Sequence, residues 1–211
     1  MNNRVFRLVV RSIVMLALAA GTGAMAQTPK HNMEFRGTLN DYTPASAPAS
    51  VKGPWEVRGH WSLLLNARSD KANFSAALTM ERSDLGVMAN GVATSTDPNL
   101  LDNPANRNAH THHISVVNGE VTAIPGGFEV TGPATITING TFPPPFQPAG
   151  TPSPVLTIDI TGVTGSVGDI ALSNIAVTFG DPATVHFGAN PLHGVVRVAR
   201  TLDEHDLRFR Y

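Results

Sequence analysis

Apolar and polar residues alternate with a period of two along most of the chain after residue 53. Between residues 55 and 65, Trp55, Trp61 and other apolar residues share one parity, and charged or polar residues hold much of the other. This pattern is typical of a strand with one buried face. A second alternating run, 72–80, follows a polar turn, so the two segments are predicted to form a β-hairpin.

Asn118-Gly119 separates two further apolar runs, and the pair favours the positive φ angles of a tight hairpin turn. We therefore predict strands 112–117 and 120–123 on either side of that turn. In this register His112 lies on the same face as Ile114 and Val116, and His110 joins that face if the strand extends backwards. His113 would then lie on the polar face.

Two long segments interrupt the alternation. Residues 83–109 are rich in Asn, Asp, Gly and Pro, which predicts a loop with room for a short strand near Val87. Residues 143–154 are rich in proline, which lacks the backbone donor that a sheet requires. The remaining strands are predicted at 33–39, 128–138, 156–160, 170–179, 185–187, 195–199 and 207–211.

Short strands punctuated by Gly, Pro and Asn indicate an all-β fold. We expect a single-domain antiparallel β-sandwich or small β-barrel with long Pro/Gly-rich loops. Residues 27–52 would form an N-terminal strand followed by a Pro/Ala/Ser-rich arm, and 53–211 the β domain, which includes the Pro-rich loop 143–154.

Residues 1–26 are predicted to be a secretory signal peptide. Arg4, Arg7 and Arg11 form a basic start, 13–20 is an apolar run, and Ala24-Met25-Ala26 fits a signal-peptidase site. The apolar run is far shorter than the ~20 residues of a transmembrane helix. We expect export by the general secretory route, cleavage after Ala26, and a periplasmic or extracellular location.

Composition narrows the expected partners. The chain has 15 basic and 16 acidic residues, and loss of the three signal-peptide arginines leaves 12 against 16, a net charge of −4. Nucleic acids and anionic membranes require clustered cations, so neither is an expected partner. Because the chain has no cysteine, its stability must come from core packing.

Histidines are the strongest candidates for chemistry. His110 and His112 are two residues apart on a predicted strand, so both side chains point to one face and could bind one divalent transition metal. His186 is the obvious third ligand, although an extended 185–187 segment would turn it away from the core. The alternative is that His112 is a hydrogen-bonded core residue and His110 a loop residue.

These residues also resemble fragments of the cupin metal site, which uses a His-x-His pair, a following Glu and a later His followed by Asn. His110-x-His112 and His186 with Asn190 match those fragments. Glu120, the nearest downstream acid, lies farther along the chain than in that pattern. The resemblance implies a metal-dependent enzyme.

Three functional hypotheses follow. The first is an exported β-domain protein with a binding or structural role and no catalysis. The second is a cupin-like metal-dependent enzyme using His110, His112 and His186. The third is a small outer-membrane β-barrel, because Leu207, Phe209 and Tyr211 alternate up to an aromatic end as in the last strands of such barrels.

Overall fold

The computed structural model describes residues 31–43, 55–82, 88–89, 92–93, 109–162 and 173–202. Within them the regular elements are ten strands and one short helix. The elements are β1 (Met33–Thr43), β2 (Trp55–Asn66), β3 (Lys71–Arg82), β4 (Met88–Ala89), β5 (Val92–Ala93), β6 (His110–Ile124), β7 (Gly127–Ile138), β8 (Val155–Thr161), β9 (Asn174–Phe179), α1 (Thr184–Phe187) and β10 (Leu192–Thr201).

Eight of these strands close into an antiparallel barrel in the order β1-β10-β9-β8-β7-β6-β3-β2, and β4 pairs with β5 in a separate small sheet. Each barrel strand pairs with the neighbours that come before and after it among the barrel strands. The first and last strands, β1 and β10, complete the circle, with Leu39 opposite Gly194. The all-β prediction is confirmed, and a closed barrel is the observed form.

Apolar side chains fill the interior, as expected for eight strands, which leave a space just wide enough for side chains. Phe35, Leu63 and Ile136 are fully buried there. Gly37 lies opposite Trp61, and a Cβ there would come within 1.9 Å of the Val195 carbonyl oxygen and 2.8 Å of the indole ring, so only glycine fits between this backbone and the tryptophan. Both Trp55 and Trp61 are buried, as the shared parity of the two residues predicted.

The predicted turn at Asn118-Gly119 is wrong. Strand β6 runs through it to Ile124, and the register of β6 shifts there against both β3 and β7. Asn118 does have a positive φ of 55°, but the residue uses it in a bulge, and its N–H donates to Asn73 Oδ1 at 2.8 Å. Asn-Gly supplies the same backbone freedom to a bulge as to a turn.

The predicted strand at 185–187 is also wrong, because Thr184–Phe187 form α1. Two other predictions agree with the structure. The hairpin of β2 and β3 is confirmed, and the segment 143–154 joins no strand. Strand β9 spans Asn174–Phe179, and the first part of the predicted strand, 170–172, lies outside the described residues. The predicted strand 207–211 and the signal peptide lie outside the described residues.

One end of the barrel, which we call the histidine mouth, is formed by the first residues of β2, β6, β8 and β10 and the last residues of β1, β3, β7 and β9. The segment 139–154, which contains the Pro-rich loop 143–154, and the segment 180–191 with α1 both connect strands there. Among the residues that the structure describes, no helix is long and apolar enough to span a membrane.

Candidate metal centre

Strand β6 places two histidines at the histidine mouth. His110 and His112 begin this strand with one residue between them, so their side chains share the inward face. Asn139 fixes this end of β6, because its backbone N–H donates to the Thr111 carbonyl at 2.8 Å and its side-chain oxygen accepts the Thr111 N–H at 2.9 Å. The two rings therefore project from a well-held strand end.

Helix α1 delivers the third histidine. Phe187 is fully buried and stacks on Phe179 of β9, with ring centroids 4.0 Å apart and planes 9° apart. At the start of the helix the Thr184 hydroxyl contacts the Asp181 carboxylate. These contacts hold the single turn against the barrel, and the helical backbone carries His186 over the mouth.

The three imidazoles converge on one point. His186 Nε2 lies 3.0 Å from His112 Nε2 and 3.1 Å from His110 Nε2. One ligand nitrogen from each of the three residues lies within 4.8 Å of the other two. Nitrogens about 2 Å from a shared tetrahedral metal are about 3.3 Å apart, so the spacing suits a metal ion.

Hydrogen bonds between the three rings cannot account for both close nitrogen pairs. His112 Nδ1 lies 3.1 Å from the Thr137 carbonyl oxygen, an acceptor, so Nδ1 carries the proton and Nε2 presents a lone pair. His186 Nε2 can either donate to one neighbour or accept from one. In both cases at least one of the two close nitrogen pairs is left without a hydrogen bond between them. A cation at the centre would satisfy all three lone pairs.

Burial keeps the rings of His112 and His186 in the neutral form, which is the form that binds metals. It lowers the pKa of His112 to about 3, and charge repulsion from His186 and His110 acts in the same direction, while the Thr137 carbonyl opposes it. Burial, followed by repulsion from His110, lowers the pKa of His186 to about 4. Both rings are therefore neutral at physiological pH, and a neutral imidazole is a metal ligand.

Aromatic rings surround the cluster. Trp55 lies edge-on to His110 at a centroid distance of 5.0 Å, and Phe146 of the Pro-rich loop stacks on His186 at 5.0 Å with planes 16° apart. Phe187 contacts His112 at 4.9 Å. The three-histidine cluster contains no carboxylate among the described residues. Any bound cation would thus have neutral ligands and apolar walls.

All three histidines singled out from the sequence lie in this cluster, but the expected orientation of His186 was wrong. A strand would have turned its ring outward, whereas α1 turns it towards His110 and His112. No capping residue in the sequence marks this helix, because its N-cap is Ala183 and makes no side-chain hydrogen bond. Phe146 was missed, since nothing in a Pro-rich loop indicates which way an aromatic ring folds.

Three nitrogen ligands from imidazole suit zinc, copper, nickel and iron, and leave at least one coordination position open. Of the other two residues in the resemblance to cupins, Glu120 is not part of the described cluster and Asn190 is exposed. No family model, curated protein or solved structure matches this chain.

Proposed function

We propose that this protein binds a divalent transition-metal ion through the Nε2 atoms of His110, His112 and His186. The observation that carries the proposal is the convergence of three Nε2 atoms that cannot satisfy one another by hydrogen bonds. The hydrogen bond from His112 Nδ1 to a backbone carbonyl supports it, because ligating histidines nearly always donate their other N–H in this way.

Zn²⁺ and Cu²⁺ are the ions that fit best. Imidazole is a ligand of borderline softness that suits both, and affinity along the first-row divalent series is highest at copper. Ca²⁺ and Mg²⁺ prefer oxygen ligands, which the cluster lacks.

Metal analysis of the purified protein tests this proposal. After incubation with Zn²⁺ or Cu²⁺ and removal of loosely held ions, we expect about one equivalent per chain. His112→Ala should reduce this to less than about a tenth of an equivalent. His113→Ala is the matched control, because His113 is the next residue on β6 but is exposed on the outer face. Less than a tenth of an equivalent in the unaltered protein would end the metal proposal.

A metal-dependent enzyme is a second candidate, favoured by one observation. Three protein ligands with an open position are the arrangement of catalytic zinc sites, whereas structural sites have four protein ligands. Metal-dependent hydrolysis of an activated ester, lost in His112→Ala and kept in His113→Ala, would support this candidate. Equal background rates in all three proteins would leave the protein a metal binder without this hydrolytic activity.

We also propose that the protein is exported, on the strength of the basic, apolar and small-residue order of residues 1–26. The described barrel has an apolar interior and outward polar side chains such as Arg58, Ser75 and Thr135, which favours an aqueous compartment over a lipid-embedded barrel. Release into the periplasmic or culture fraction without detergent is the expected result. Retention in the outer membrane until detergent is added would contradict it.

A further inference from the structure

The charge of the proposed metal centre is not balanced by its ligands. As metal ligands His110, His112 and His186 would be neutral imidazoles, and the described cluster has no carboxylate. A divalent ion there would keep its full charge among the rings of Trp55 and Phe146. Burying a charge among apolar rings costs desolvation free energy unless the charge is paired. The open position should therefore favour a negatively charged ligand.

Trp55 provides a hydrogen-bond donor beside the same cluster. Its indole Nε1–H is buried and has no hydrogen-bond partner among the described residues. The indole ring contacts the rings of His110, at 5.0 Å, and His186, at 6.2 Å. A buried N–H without a partner is rare in folded proteins and calls for an explanation such as an ion or ligand that completes it.

We propose that the metal centre takes a small monoanion at its open position and that the Trp55 indole N–H donates a hydrogen bond to that anion. The proposal rests on the proposed function, since it requires the bound metal. Hydroxide and a carboxylate are two biological ligands that share this chemistry. The ligand atom would lie about 2 Å from the metal, and its hydrogen bond to the indole would be about 3 Å long.

Trp61 offers a matched control. It lies on the same strand as Trp55, is equally buried in the barrel, and its Nε1–H also has no partner among the described residues. Its ring stacks on Phe74 at 6.4 Å. Trp61→Phe therefore removes the same group from the same strand without touching the proposed anion site.

The experiment titrates azide into the copper-loaded protein and measures its binding by the charge-transfer absorption of Cu(II)-bound azide. We expect Trp55→Phe to bind one equivalent of copper but to bind azide about tenfold more weakly, the effect of losing one hydrogen bond to a charged acceptor. Trp61→Phe should bind azide like the unaltered protein. Equal azide affinity in all three proteins would overturn the role of Trp55.

Two measurements on the unaltered protein keep the proposal testable even if Trp55→Phe does not fold. Azide should bind more tightly than the neutral ligand pyridine, and equal or tighter binding of pyridine would refute the preference for an anion. Displacement of azide by formate would identify a carboxylate ligand, and displacement only at alkaline pH would identify hydroxide. If copper binds but azide does not, the monoanion proposal fails while the metal proposal stands.

Discussion

His112 Nδ1 lies 3.1 Å from the backbone carbonyl oxygen of Thr137, and this contact sets the tautomer on which the site depends. Strands β6 and β7 are paired side by side here, so the acceptor belongs to the barrel frame and not to a mobile side chain. Nε2 is left with a lone pair that faces His186 at 3.0 Å. One hydrogen bond thus fixes both the orientation and the chemistry of the most buried ligand.

The metal-free protein should lose stability as the pH falls from about 6.5. The pKa of His112 drops from 6.5 to about 3 on folding, so below pH 6.5 the unfolded chain takes up a proton that the folded chain excludes. The contribution of His112 to the free energy of unfolding is fully present above pH 6.5. It is lost as the pH falls towards 3, at about 1.4 kcal/mol per pH unit.

Chemical denaturation of the metal-free protein at several pH values between 7.5 and 5 measures this effect. His112→Leu removes the titrating ring while keeping an apolar side chain, so its stability should fall less steeply with decreasing pH. His60→Leu, at an exposed position on β2, should keep the slope of the unaltered protein. Identical slopes for His112→Leu and the unaltered protein would refute the buried neutral ring.

Phe146 should slow metal exchange without being a ligand. Its ring stacks on His186 at 5.0 Å and contacts Phe187 at 5.9 Å, so it holds the helical ligand in place. Because such a ring pair is worth about 0.5–1.5 kcal/mol, Phe146→Ala should weaken metal affinity by about two- to tenfold. Transfer of the metal to a coloured chelator measures both the affinity and the rate.

Phe142→Ala is the control for this effect, since Phe142 precedes the same Pro-rich segment but is 55% exposed. It should leave metal transfer unchanged. Faster transfer in both variants would mean that any disturbance of the loop releases the metal and that the ring of Phe146 has no special role.

Phe187 should be essential to the fold as well as to the site. It is fully buried, and its stacking on Phe179 ties α1 to β9. Replacing a buried phenylalanine with alanine costs about 3–5 kcal/mol, which we expect for Phe187→Ala in thermal or chemical unfolding. Val185→Ala, on the exposed side of the same helix, should change the stability by less than about 0.5 kcal/mol. A small loss at Phe187 would contradict the anchoring role of this residue.

Alternation of side chains predicted most barrel strands because a strand with one buried face must have a period of two. The strand prediction was wrong where a second local signal, the Asn-Gly pair, was assigned to a turn. Asn118-Gly119 allows a positive φ, and a single sequence does not distinguish a bulge from a turn by that property alone. The distinction comes from pairing, since β6 pairs with both β3 and β7 before Asn118-Gly119, at Val116, and again after it, at Glu120.

The candidate site was predictable only in part, for similar reasons. The i, i+2 spacing of His110 and His112 is a local property, so a strand assignment was enough to place both rings on one face. His186 is 74 residues beyond His112, and its ring direction depends on a four-residue helix that apolar alternation misread as a strand. Phe146 covers the histidine cluster because its loop packs there in the tertiary structure. Neither the hydrophobic period nor the composition of the sequence encodes that packing.

X-ray absorption spectroscopy of the zinc-loaded protein tests the three-histidine metal centre most directly. We expect a first shell of nitrogen and oxygen atoms at about 2.0 Å, with the outer-shell scattering of three imidazole rings. His186→Ala should reduce that outer-shell signal to two rings, and His113→Ala should leave it unchanged. A spectrum of the unaltered protein with one imidazole or none, and oxygen ligands in their place, would contradict a three-histidine metal centre at the mouth of this barrel.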